Sequence, residues 1–404
     1  MSGGRSILLL GGSAQQVVAI EKARELGFRT VLCDYLPDNP GQRHADSFHP
    51  VSTTDREAVL GVAREEQVDG VLAYASDPAE PTAAYVAQEL GLPGNPLAAV
   101  EALSEKHLFR EMLREAGLPC PRSASFPASS DAAGVLPLLE GMRWPVVVKP
   151  TDSSGSKGVT VLEGPSGLSD AIARAASFSR NGTLIAEEYI RRGFPDVVGG
   201  DVFAVDGEVR FWGLMRCLRD ESLGGLVPVG EVMPAGLSAS QEAAVKGAVQ
   251  RLVSFAGIRF GELNVEVILG EDGSPYVLEL GARAGGNMIP VQLSDASGVD
   301  LVAANVLCAM GEDPGDVRFD GRGACCAHYV AHSRRAGVFE RLELPEEVAS
   351  RVYRTVMYKE PGDAVERFDG ADKALGILFM RFADEAEASR VLSGISDRVE
   401  AVLR

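Results

Sequence analysis

The chain reads as an α/β protein that passes into α+β. A parallel βαβ domain opens it, central domains on antiparallel sheets follow, and an antiparallel α+β part closes it. Three observations predict this. Its 404 residues exceed one ordinary domain and suit two or three. The first hundred residues alternate apolar strand runs with helix-period segments, the signature of βαβ units. Beyond residue 200, alternating apolar runs fold back on Asp206-Gly207 and Glu271-Asp272-Gly273, which mark hairpins.

Ile7–Leu10 is an apolar run closed by Gly11-Gly12-Ser13, and Gln15–Leu26 has helical spacing ended by Gly27. Thr30–Cys33 predicts a second strand, Asp55–Glu66 a helix, Gly70–Tyr74 a strand and Pro81–Leu90 a helix stopped by Gly91. These elements make the first unit, residues 1–100. Gly11-Gly12 invites a dinucleotide site, but G-x-G-x-x-G is absent and Asp34 alone is weak support.

The second unit is residues 101–310, with a small lid subdomain inside 101–190. It begins with a helix over Leu103–Ala116 and a helical segment over Ser129–Gly141. Strands follow at Trp144–Lys149 and Val159–Leu162, around the Ser- and Gly-rich loop Asp152–Gly158. Next come a helix over Ser169–Phe178, a strand over Leu184–Ile190 and a hairpin of Val202–Val205 with Glu208–Leu214. Helices over Ser238–Phe255 and Asp300–Ala309 flank the second hairpin. Residues 311–404 are antiparallel strands with a final helix, Asp384–Ile395.

Composition narrows the function. The apolar fraction is 46% and the charged fraction 24%, as in soluble globular proteins. A net charge of −18 argues against a nucleic-acid or anionic-membrane surface. No apolar run reaches the roughly 18 residues of a membrane span. Six cysteines without a C-x-x-C pair predict a reduced, cytoplasmic setting.

Chemistry concentrates in Gly261–Pro290. Glu266 lies in the first strand of the hairpin and Glu279 ends the second, and counting from the turn sets them at similar heights. Acids in an apolar layer are costly unless a cation meets them. Paired carboxylates followed by Arg283 and Gly285-Gly286 point to a divalent metal holding polyphosphate. Upstream, the strand Val146–Lys149 delivers a lysine into a loop of small residues, a pattern that suits phosphate. It is not a P-loop, because G-x-x-x-x-G-K-[ST] is missing. Glu187-Glu188-Tyr189-Ile190 is an extended segment whose backbone can meet an adenine ring.

In order, Lys106, Val148-Lys149-Pro150, Gly155-Ser156-Lys157-Gly158, Glu187–Ile190, Asp201, Glu266 and Glu279-Leu280-Gly281-Ala282-Arg283 resemble the ATP-grasp superfamily. The similarity is to the branch with bacterial L-amino-acid ligases, carnosine synthase and biotin-carboxylase-like enzymes. It implies an ATP-dependent carboxylate–amine ligase giving ADP and phosphate through an acyl phosphate. Purine-pathway or biotin-carboxylase-like chemistry is the alternative, and a non-catalytic nucleotide binder the least favoured. The cofactors implied are ATP and Mg2+, with Mn2+ as a substitute; the partners are small carboxylates and amines, and a homodimer is allowed.

The resemblance also implies roles. Lys106 and Lys149 would bind phosphates, and Ser154, Gly155, Ser156 and Gly158 would form a lid. Glu187, Glu188 and Ile190 would meet adenine, the latter two mainly through backbone, and Asp201, with Asp196 as alternative, the ribose. Glu266 and Glu279 would hold metal, and Arg283 the transferred phosphate. Arg216, Glu231 and Gly285 are the substrate-side candidates, Arg216 for a carboxylate and Glu231 for an ammonium group. One departure stands out: many relatives carry E-x-N-x-R, whereas Gly281 occupies the Asn position here. Either one metal is then held less fully, or water, Asn264 or Asn287 replaces that ligand.

Overall fold

The computed structural model describes residues 4–404 except 154, 156, 224–226 and 324. In β1 (Ser6–Leu10) every residue is buried, because a central parallel strand is covered on both faces. It is followed by α1 (Val17–Glu25), β2 (Arg29–Cys33), β3 (Ser47–His49), α2 (Arg56–Glu65), β4 (Gly70–Leu72) and α3 (Glu80–Leu90). The parallel sheet has the order β3-β2-β1-β4. The three-residue β3 falls in a stretch that the sequence presents as loop. Gly91 ends α3 in the left-handed region, φ 64, where glycine carries no Cβ penalty.

The single helix expected over Leu103–Ala116 is two: α4 (Leu97–Ser104) and α5 (Lys106–Glu115). They break at Glu105, which is extended (φ −109, ψ 116). The break makes Lys106 the first residue of a helix. A small antiparallel unit follows, with β5 (Ser123–Pro127), α6 (Ala132–Val135), β6 (Val146–Pro150), β7 (Thr160–Leu162), α7 (Leu168–Ala176) and β8 (Thr183–Glu188) in sheet order β5-β8-β6-β7. The helix expected over 129–141 shrinks to α6 and a 3-10 turn, since Pro137 cannot donate to an α-helical ladder.

The large sheet uses β9 (Val198–Val205), β10 (Glu208–Arg219), β11 (Pro228–Met233), β12 (Phe260–Leu269) and β13 (Pro275–Gly281). It packs against α8 (Ala239–Ala256), α9 (Ile289–Ser297) and α10 (Leu301–Ala309). Helix α8 starts with a capping box between Ser238 and Gln241. Then come β14 (Cys326–Ala331), β15 (Gly337–Glu343), α11 (Glu346–Ala349), β16 (Val352–Met357), β17 (Ala364–Val365), β18 (Gly376–Arg381), α12 (Glu385–Leu392), α13 (Ile395–Arg398) and β19 (Glu400–Leu403). The order β13-β12-β9-β10-β11-β14-β18-β16 makes one antiparallel sheet, so a division at residue 310 would cut through it. The expected last helix splits at Gly394, whose φ is 60.

One apolar core runs from Ile7 and Leu9 through Ala284 and Met288 to Ile377–Met380, joining the first domain to the last strands. Among the described residues, no helix is long and apolar enough to cross a membrane.

Candidate active site

The site begins at the β12–β13 hairpin, where Glu266 and Glu279 are direct register partners, as the count from the turn predicts. Opposed residues on antiparallel strands face the same side. Burial raises the pKa of Glu266, and the neighbouring Glu279 carboxylate raises it further. Two hard oxygen donors that repel one another are the donor set a divalent cation relieves, so the pair fits Mg2+.

Strand β6 faces this hairpin across a cavity of about 240 Å³ lined by Lys106, Lys149, Gly155, Lys157, Arg219, Glu266 and Glu279. Both predicted lysines, one lid glycine and both acids therefore share one space. Lys106 Nζ donates to the Ser153 carbonyl at 2.7 Å, which ties α5 to the lid loop. Lys157 falls within the loop expected to form a lid, whereas Arg219 is absent from the sequence-based expectations. Gly158 has φ 76 and lies close under Phe178 and Pro150. Ser154 and Ser156 lie outside the described residues.

The Glu187 carboxylate is engaged inside the protein, accepting from Arg110 Nε at 3.0 Å and from Lys149 Nζ. Burial alone would raise its pKa, yet the two cations hold it down at about 2. Arg110, fully buried, is a positioning element that the local motif does not reveal. The Glu188 carboxylate is likewise engaged, taking the Arg143 backbone N–H at 2.9 Å and its guanidinium. Ile190 lines a separate cavity of about 330 Å³ with Arg143, Trp144, Glu188 and Tyr276.

Arg283 lines a third cavity of about 380 Å³, with Arg56, Asp77, Glu80, Lys106, Glu279 and Gly281. Lys106 and Glu279 border both this space and the phosphate-side cavity, so the two adjoin. Desolvation pushes Glu80 up to about 8, against the Arg283 charge and with Asp77 adding to the rise.

The remaining candidates lie deeper. Asp201 is fully buried, accepting from Asn264 Nδ2 and from the Gly285 backbone N–H, each at 2.8 Å. It lines none of these three cavities and anchors the Gly285 turn. Asp196 pairs with Arg216 at 3.8 Å, which occupies the arginine expected to hold a substrate carboxylate. Asn264 stands opposite Gly281 but turns its amide to Asp201, and the Asn287 N–H donates to Gln15. Glu231 sits in a row with Cys217 and His328 across β10, β11 and β14. Its Oε2 and both His328 ring nitrogens are buried without hydrogen-bond partners. Burial pushes Glu231 up to about 8, aided by Asp201 and Glu266, and burial holds His328 at about 3, hence neutral.

Residues 105–315 match the family described as the carbamoyl-phosphate synthase L chain ATP binding domain, and residues 20–94 match the ATP-grasp N-terminal domain. Formate-dependent phosphoribosylglycinamide formyltransferase of Synechococcus sp. (strain WH7803) is 34% identical over 190 residues, 46% of this chain and 48% of that one. The carbamoyl phosphate synthase large chain of Micrococcus luteus is 25% identical over 340 residues, 79% of this chain and 30% of that one. The chain thus spans less than half the length of these curated relatives. Among solved structures, L-amino acid ligase from Bacillus licheniformis has a TM-score of 0.82 at 22% identity, covering 100% of both chains. Phosphoribosylglycinamide synthetase from Anaerococcus prevotii has a TM-score of 0.77 at 18% identity, covering 99% of this chain and 100% of that one. The two share the fold. The first family match takes in more than half of the chain and encloses every phosphate- and metal-side residue from Lys106 to Arg283, and the chain belongs to the ATP-grasp family.

Proposed function

We propose that the chain is an ATP-dependent, ADP-forming ligase that joins a small carboxylate to an amine, both amino-acid-like. The observation that carries this reading is the meeting of two cavities at Lys106 and Glu279. One holds lysines and paired carboxylates; the other holds Arg283. ATP occupies the first, with its phosphates beside Lys106 and Lys149. Glu266 and Glu279 would hold Mg2+, which supplies charge neutralisation to the polyphosphate.

The substrate carboxylate attacks the γ-phosphorus, the bond to the ADP oxygen breaks, and an acyl phosphate forms. The amine then attacks the acyl carbon and loses a proton, and phosphate leaves with the bonding pair. Arg283 pairs with phosphoryl oxygens and then with the tetrahedral oxyanion. The loop from Gly155 to Gly158 excludes water from the acyl phosphate. Glu231, whose Oε1 takes the Cys217 thiol while Oε2 lacks a partner, would ionise when an ammonium group reaches it.

The test is ADP and phosphate release across a panel of acid–amine pairs. Release that needs both substrates supports the reading; silence with every pair overturns it. A one-carbon acid is the second reading, favoured by the 34% identity to the formate-dependent relative. Release with formate or bicarbonate as the only acid would select it.

A further inference from the structure

Arg283 is held from outside its own domain. Its Nε donates to Asp77 Oδ1 at 2.5 Å, Nη2 pairs with the same oxygen, and Nη1 donates to the Ala284 carbonyl at 3.1 Å. The arginine side chain is 8% exposed and that of Asp77 32%, so the guanidinium is buried while the carboxylate keeps an open side. Asp77 lies in the loop from β4 to α3 of the N-terminal domain. That loop is itself pinned. Gln16 Nε2 donates to the Tyr74 carbonyl at 2.8 Å, and the Ser76 carbonyl accepts from Ala79 and Glu80, each at 3.2 Å. Ala75 has φ 51, a left-handed conformation that costs an alanine about 1–2 kcal/mol and persists only where the surroundings impose it.

Gly281 supplies an independent observation. A Cβ at this position would stand 3.4 Å from Asp77 Oδ1 and 3.4 Å from Arg283 Cζ. A Cβ there would sit in van der Waals contact with the Asp77–Arg283 pair, so any longer side chain at 281 would start out against it.

We propose that Asp77 is the positioning residue for Arg283, and that the absence of a side chain at Gly281 leaves this interdomain pair its room. The N-terminal domain thereby helps aim the guanidinium used in phosphoryl transfer. The role in turnover rests on the ligase reading; the positioning itself does not.

The experiment combines two readouts on Asp77→Asn, Asp77→Glu, Gly281→Asn and the pair Asp77→Ala with Gly281→Asn. In 15N-arginine-labelled protein without substrates, the Arg283 Nε–H signal of Asp77→Asn is expected to exchange at least about tenfold faster. In turnover, kcat of Asp77→Asn falls about tenfold to a hundredfold while KM for ATP stays within about twofold, and Asp77→Glu recovers part of kcat. Gly281→Asn costs at least about fivefold less in the Asp77→Ala background than alone. Unchanged Nε–H exchange in Asp77→Asn, or independent effects at 77 and 281, would overturn the proposal. A wild type silent with every acid–amine pair removes the ligase reading, and the exchange measurement then decides the positioning alone. Asp77→Asn is isosteric; should it fail to fold, the same signal is read in Asp77→Glu.

Discussion

Glu187 and Arg110 form an ion pair that water does not reach: Arg110 Nε lies 3.0 Å from Glu187 Oε2, and the two side chains are 0% and 5% exposed. Lys149 claims the other carboxylate oxygen. One anion thus answers two cations, of which Lys149 also lines the cavity shared with Glu266 and Glu279. Glu187→Gln would leave two buried cations unbalanced. It is expected to cost about 3–5 kcal/mol, read as a lower urea midpoint at neutral pH. An unchanged midpoint would refute the role assigned to this pair.

Acid stability follows from the same carboxylate. The folded Glu187 sits at about 2, below the ordinary carboxylate value, so the folded state binds fewer protons. Its contribution is complete above about pH 4.3 and is lost as pH falls through the folded value near 2. Unfolding midpoints measured between these limits should fall faster in wild type than in Glu187→Gln.

Glu231 has the opposite sign. At about 8 it stays protonated in the folded state where the unfolded chain has ionised. Its stabilisation is complete below about pH 4.3 and lost as pH rises toward 8, at up to about 1.4 kcal/mol per unit. Glu231→Gln should therefore gain stability relative to wild type between pH 5 and pH 8. Parallel melting curves at the two pH values would contradict this.

Glu279→Ala removes one of the two register-paired carboxylates. ADP formation should fall more than about a hundredfold while the circular dichroism spectrum is retained. Folded protein with full activity would dismiss the metal role.

Gly285→Ala probes the anchored turn. A Cβ there would come within 2.6 Å of Asp201 Oδ1 and 2.9 Å of Ile289 Cδ1. A loss of about 1–3 kcal/mol is expected from overpacking, visible as a lower thermal midpoint.

What the sequence reveals here depends on chain distance. The Glu266–Glu279 register is readable because alternation and the Glu271–Gly273 turn fix the count between them. Lys149 and the lid glycine are readable because a strand leads straight into a loop of small residues. The Glu187 partner is not readable, because Arg110 arrives from a helix 77 residues upstream and nothing beside Glu187 announces it. The Asp201 partners, Asn264 and Gly285, are hidden for the same reason. Gly281 looks like a lost ligand until Asp77, 206 residues before Arg283, appears beside it.

The large sheet has a consequence for biosynthesis. Cys217, Glu231, His328 and Phe379 are neighbours across four strands, yet they leave the ribosome in widely separated order. Pairings so distant along the chain form slowly. A nascent chain paused before Cys326 presents the strand bearing Glu231 as a bare edge, open to any extended segment nearby. Emergence of the C-terminal strands is what shuts that edge, so the last part of the chain to be made decides when the large sheet is safe from aggregation.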